Sequence, residues 1–111
     1  MLRIQQRESA LRDLTAIWLW YAEQGGPEIA DRFYAAVDQT LEMIAKSPDV
    51  GVRLKRRRKA DAGLRKIAVG GGFGKILLVY LHADCGVELI RVLHGSRDLE
   101  ALGALERGSG E

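Results

Sequence analysis

The segment from Lys75 to His82, KILLVYLH, restricts most tightly what this chain can fold into. Every residue from Ile76 to Leu81 is aliphatic or aromatic, and the run is bounded by glycine-containing turns on both sides. Such a run reads as a strand. A strand with no polar position has no side to offer to water, so it belongs in the middle of a sheet, buried on both faces. Flanking segments of strand character lie at Leu64 to Val69 and Val87 to His94. The connections between them, Gly70-Gly71-Gly72-Phe73-Gly74 and Ala83-Asp84-Cys85-Gly86, are short and glycine-bearing. They predict hairpin turns and a three-stranded antiparallel meander.

Upstream the period changes from two to about 3.6. Leu11, Leu14, Ile17, Trp18 and Tyr21 form one apolar stripe, and Ser9 offers a hydroxyl as its N-cap. Gly25-Gly26 stops that helix, and Pro27 suits the first turn of the next. Ile29, Phe33, Ala36, Val37, Thr40, Leu41 and Ile44 mark the second helix, which Ser47-Pro48 ends. So short a link predicts an antiparallel helical hairpin. Leu2 and Ile4 alternate with polar residues and predict a short N-terminal edge strand. Leu99, Leu102 and Leu105 predict a short C-terminal helix, capped by Ser96 or Asp98.

The expected architecture is therefore α+β: an N-terminal strand, a helical hairpin, a three-stranded meander and a terminal helix. With 111 residues and 47% hydrophobic content, one domain over residues 1–107 is expected, and Gly108 to Glu111 should fray. Both helices fall on one face of the sheet. The other face is expected to lack cover from this chain and so to need a partner.

The net charge is only +2, but its distribution is uneven. Lys55, Arg56, Arg57, Arg58 and Lys59 make a basic patch within a segment, Asp49 to Gly63, that reads as a loop or a frayed strand start. The patch would steer an anionic partner or form a solvated loop. The single cysteine, Cys85, excludes an intrachain disulfide, and with His82 and His94 as the only histidines no metal-ligand spacing exists. Neither metal nor cofactor is expected. The N-terminal MLRIQQRESALRD has no apolar h-region, and no apolar stretch approaches the ~20 residues that span a bilayer. A cytoplasmic protein without membrane contact is the expectation.

Gly70 to Lys75 is not a phosphate loop, because that motif would need glycine at Val69 and Ser or Thr at Ile76. Trp18 and Tyr21 are expected in the core, and Trp20 partly exposed at an interface. The remaining chemistry lies in LIRVLHGSRDLE, Leu89 to Glu100. His94 has the chemistry of a general base, yet no nucleophile or oxyanion donor is placed to work with it. Asp98 suits a positioning role at the strand end and helix start. Arg91 and Arg97 carry forked guanidinium groups suited to carboxylate or phosphate.

The helical hairpin followed by GLRKIAVGGGFGKILLVY and VELIRVLHGSRDLEAL resembles the ParE/RelE superfamily of toxins from type II toxin–antitoxin modules. RVLHGSRD resembles the ParE, or plasmid stabilisation, branch in particular. The resemblance implies a growth-inhibiting toxin acting on DNA gyrase. It also implies a cognate antitoxin, small, with a DNA-binding N-terminal domain and a C-terminal segment that binds the toxin. Arg91, His94, Arg97 and Asp98 are the expected target-binding residues. The RelE branch implies the alternative, a ribosome-dependent, metal-independent mRNA endoribonuclease, for which Arg65, Lys66, His94 and Arg97 would be catalytic. That branch carries an arginine on the central strand, where this chain has Leu77 or a neighbouring aliphatic, and a tyrosine or histidine on the terminal helix, near Gly103 here.

Overall fold

In a computed structural model, residues 2–54, 63–98, 100–101 and 103–104 are described. The basic patch Lys55 to Lys59, the leucines Leu99, Leu102 and Leu105, and the tail from Gly108 lie outside them. The chain runs β1 (Ile4–Gln6), α1 (Glu8–Gly25), α2 (Pro27–Lys46), β2 (Val52–Arg53), β3 (Leu64–Ala68), β4 (Ile76–Ala83) and β5 (Gly86–His94). Glu100, Ala101, Gly103 and Ala104 are helical, where a terminal helix is expected. The five strands form one mixed sheet in the order β1-β5-β4-β3-β2. β4 is central, as its unbroken apolar run requires, and it pairs antiparallel with β3 and β5. β1 joins the far side of β5 in parallel, with Ile4 opposite Val87.

The meander is thus longer than expected by one strand. Val52 and Arg53 pair with Lys66 and Arg65, inside the segment read as a loop or frayed strand start. Both are exposed, so no apolar alternation marks them. What anchors them lies just upstream. The buried Tyr80 hydroxyl donates to the Pro48 carbonyl and accepts the Gly51 N–H, both at 2.8 Å. Arg65 Nη1 donates to the carbonyls of Asp49 and Gly51 at 3.2 and 2.8 Å. A Cβ on Gly51 would lie 2.6 Å from that hydroxyl and 2.9 Å from the Lys66 carbonyl, so only glycine fits.

Helix α1 starts one residue before the expected cap. Arg7 is the N-cap, without a side-chain bond, and Ser9 sits inside the first turn. Its hydroxyl instead donates to the Ile90 carbonyl of β5 at 2.8 Å. Gly26, at φ 91°, turns the chain between the helices. One face of each helix then packs on the sheet: Ala10, Leu14 and Ile17 from α1, and Phe33, Ala36, Val37, Leu41 and Ile44 from α2, against Ile76, Leu78, Tyr80, Val87, Leu89 and Val92. Phe73, at the tip of the β3–β4 turn, is buried against Tyr21 and Phe33 and closes one end of this core.

The opposite sheet face is not bare. Leu54, Leu64, Val79 and Leu93 form a second buried cluster, with Leu77, Leu81, Ile90 and Ala101 packed on it. Leu54, just after β2, and Ala101 supply cover that sequence patterning does not predict. Large apolar side chains are exposed elsewhere: Leu11 (48%) and Leu19 (50%) on α1, Tyr34 and Met43 on α2, and Val50 and Val52 beside the β2 edge. Leu11, read as a core position, faces outward.

Removing the Tyr80 hydroxyl tests the connector anchor. Tyr80→Phe leaves a buried N–H and a carbonyl unpaired, which should cost about 1–3 kcal/mol in urea denaturation. Burial raises the Tyr80 phenol above its ordinary value of 10.0, outweighing the opposing Gly51 N–H and Arg65 charge. The unfolded chain therefore loses its phenolic proton first as pH climbs. Wild-type stability should fall above about pH 10, and Tyr80→Phe should flatten that limb.

Candidate functional site

Strand β5 carries Arg91 and His94 and leads into the turn with Arg97 and Asp98, and its backbone decides where they point. Tyr80 pairs with Leu89, but Val79 pairs with Arg91, so Ile90 is an extra residue on β5. This bulge resets the alternation: Leu89 and Val92 both face the helices, while Ile90 and Leu93 face the second cluster. β1 covers β5 only as far as Leu89. Beyond that point the β5 edge would expose unpaired backbone groups, a template for unwanted strand addition.

Side chains of α1 close that edge. Ser9 satisfies the Ile90 carbonyl, and Asp13, one turn later, accepts the Val92 N–H through Oδ2 at 2.8 Å. The same carboxylate takes the Arg91 guanidinium in a fork, with Nε to Oδ2 at 2.8 Å and Nη2 to Oδ1 at 3.2 Å. Asp13's hydrogen bonds push the guanidinium's affinity for its proton still higher, against the opposing effect of burial. Arg91 therefore has an internal partner, Asp13, that no local pattern indicates. It holds α1 to the sheet, and about a third of its side chain stays exposed.

Past the strand the chain turns tightly. Asp98 Oδ2 accepts the His94 N–H at 2.7 Å, and the Asp98 N–H returns to the His94 carbonyl at 2.8 Å. Asp98 thus pins the strand end, the positioning role expected of it. His94 Nδ1 accepts the Arg97 N–H at 3.2 Å and lies 3.1 Å from the Ser96 hydroxyl, which donates to it. With Nδ1 accepting, the neutral ring carries its proton on Nε2. The Arg97 side chain is exposed, and its guanidinium lies over the Trp20 indole, 5.6 Å from the ring centroid. Trp20 also meets His94 edge-on at 6.1 Å. The sequence reads Trp20 only as partly exposed at an interface. Its place beside Arg97 follows from α1 lying along β5, a pairing that no local sequence pattern encodes.

His94, Arg97 and Asp98 are therefore together at one corner, with Trp20 joining them and Arg91 tied back to Asp13. Arg65 and Lys66 lie on β3, across the sheet from this corner with β4 between. Arg65 is committed to the Asp49–Gly51 connector by two carbonyl bonds and a 3.5 Å ion pair with Asp49. The four residues that a ribonuclease would need are not brought to one point. Among the described residues no cluster of metal-binding side chains occurs, and no helix is long and apolar enough to cross a membrane.

Comparison with known proteins finds relatives in sequence and in fold. The model of the ParE toxin of the type II toxin–antitoxin system parDE matches residues 4–99. Toxin ParE1 of Caulobacter vibrioides is 33% identical over 99 residues, covering 89% of this chain and 93% of that toxin. A solved structure from the chromosomal ParDE system of P. aeruginosa superposes with a TM-score of 0.66 over 85% of this chain and 96% of that one. At 17% identity, that likeness speaks for the fold.

The Asp13 clamp makes a direct prediction. Asp13→Ala strips the Arg91 fork and the Val92 N–H of their acceptor, and Asp13 is partly buried while Arg91 is about one-third exposed. After allowing for that exposure, a loss of about 1.5–3 kcal/mol is expected from chemical denaturation. Asp13→Asn should recover part of it, since the amide oxygen still accepts the Val92 N–H.

Proposed function

The chain belongs to the ParE toxin family of type II toxin–antitoxin systems, and on that premise we propose that it arrests growth by inhibiting DNA gyrase in the cytoplasm and is neutralised by a cognate antitoxin. The observation that carries the reading is the match over residues 4–99, which spans both helices and the whole meander. The toxin would act by binding, without a reaction of its own. Arg97 and His94 would contact the target, Asp98 would fix the turn that presents them, and Arg91 would contribute mainly by holding the strand that leads to it.

The ribonuclease alternative fares worse on geometry. Metal-free RNA cleavage needs a base, an acid and charge stabilisation converging on one phosphodiester. Here Arg65 is engaged with backbone carbonyls far along the sheet from His94 and Arg97, and β4 carries Leu77 or a neighbouring aliphatic where the ribonuclease branch carries an arginine.

The antitoxin has apolar surface to cover, though not where sequence patterning placed it. A groove of about 610 Å3 runs between β1 and the helices, lined by Leu2, Ile4, Leu11 and Leu41 with Asp38 and Glu42 at its rim. Leu11 and Leu19 continue that apolar surface along α1. A flexible C-terminal segment that orders on such a groove would gain burial and exclude the target at once.

Purified toxin should block supercoiling by gyrase, and brief induction should leave no codon-positioned cuts in cellular mRNA by primer extension. Such cuts with intact supercoiling would transfer the protein to the ribonuclease class. Arg97→Ala should relieve growth arrest while shifting stability by no more than about 0.5 kcal/mol, as befits an exposed side chain. The double change Leu11→Asp with Leu19→Asp should do the reverse. Growth arrest persists, and co-expressed antitoxin no longer rescues it, read as colony counts.

A further inference from the structure

We infer that Trp20 is a positioning residue of the target-binding corner: its indole fixes the plane and direction of the Arg97 guanidinium. The inference rests on the reading that Arg97 contacts the target. It starts from two contacts made by the same ring, Arg97 over its face at 5.6 Å and His94 edge-on at 6.1 Å.

Trp20 is anchored from below. It stacks edge-on against Tyr21 at 5.0 Å, and Tyr21 packs on the buried rings of Phe33 and Phe73 at 5.3 and 5.2 Å. The indole therefore stands on the core, although it reaches the surface. Arg97 has no such footing of its own. It is an exposed residue of a turn, and a free arginine side chain samples many rotamers. A guanidinium lying over an indole face keeps its in-plane N–H fork directed outward, the edge that grips a carboxylate or phosphate in two places.

Backbone and side chain of Arg97 are then fixed from two directions. His94 Nδ1 holds the Arg97 N–H, and Trp20 holds the guanidinium. Both holders belong to the rigid α1–β5 layer, which Asp13 and Ser9 lock together. The same arginine with a freely rotating side chain would have to lose that freedom on binding, which weakens the contact.

The test uses the full chain and four versions: wild type, Trp20→Phe, Trp20→Leu and Arg97→Ala. In wild type, the Arg97 Nε–H should give a resolved NMR signal, and the Arg97 side-chain protons should be displaced upfield by the indole ring current. Trp20→Leu should erase both signatures, and should raise the induction level needed for half-maximal growth arrest roughly fivefold, with the thermal midpoint kept as a folding control. Trp20→Phe should restore most of the potency, because a smaller aromatic face remains. If wild-type Arg97 shows rapid exchange and random-coil proton shifts, the inference is overturned whatever the variants do. If Arg97→Ala is inactive and Trp20→Leu is as potent as wild type, Trp20 does not position the arginine for function. If Arg97→Ala itself stays fully toxic, the target-binding reading fails, and the Trp20 inference falls with it.

Discussion

One carboxylate on the first helix joins the two layers of this protein. Asp13 receives a backbone N–H and a forked guanidinium from consecutive residues of β5, and both bonds through Oδ2 measure 2.8 Å. Its position is not arbitrary. β1 stops pairing at Leu89, and the Ile90 bulge turns the next backbone groups outward just where α1 passes. Ser9 and Asp13, four residues apart, face the same side of the helix and meet the groups that the missing strand would have paired. The edge of β5 is thereby closed with side chains, and the sheet is spared a sixth strand from another molecule. Everything beyond the bulge inherits its direction from this arrangement: the return of Val92 to the core, the outward step of His94, and the turn that carries Arg97.

The pair also shows why charge at a site does not declare its purpose. Arg91 and Arg97 belong to the same short motif and look equivalent as sequence. Arg91 is neutralised within the fold by a partner 78 positions away. Among the described residues the Arg97 guanidinium meets a ring face, which orients a cation without satisfying its N–H groups. The distinction is electrostatic. An arginine whose fork is already filled has little left to offer a target, whereas one whose plane is supported and whose edge is open keeps its full hydrogen-bonding capacity.

The parts of the fold visible in sequence are those with strong local causes. Gly25-Gly26-Pro27 could end one helix and begin another, and KILLVYLH could only be central. The family was legible in RVLHGSRD, and Asp98 at the strand end could be read from the affinity of a short carboxylate for free backbone N–H groups. What stayed hidden depends on contacts between distant segments. β2 is two exposed residues held by Tyr80 and Arg65 from other strands. The Ser9 hydroxyl serves β5 rather than its own helix. The second sheet face is covered by Leu54 and Ala101, which stand outside any apolar period. One local sign did exist: Leu89, Ile90, Arg91 and Val92 break the two-residue alternation, and a strand that breaks it beside a charged residue has reason to bulge.

The cover on the second face changes where partners must be sought. An uncovered sheet would invite one large apolar contact, and target and antitoxin would compete for it. With that face partly covered by Leu54 and Ala101, exposed apolar side chains lie on α1, on α2, beside β2 and in the groove beside β1, while the cationic corner lies at the other end of β5. Leu11 near the start of α1 and Trp20 near its end are parts of one rigid helix, nine residues or roughly 13 Å apart along its axis. The two residues are also about half a turn apart around the helix, so an antitoxin that covers the first must wrap around α1 as well as extend along it to obstruct the second. Inhibition by such a wrap requires no change in the toxin's shape, because the helix that carries Leu11 on one face props up Arg97 on the other.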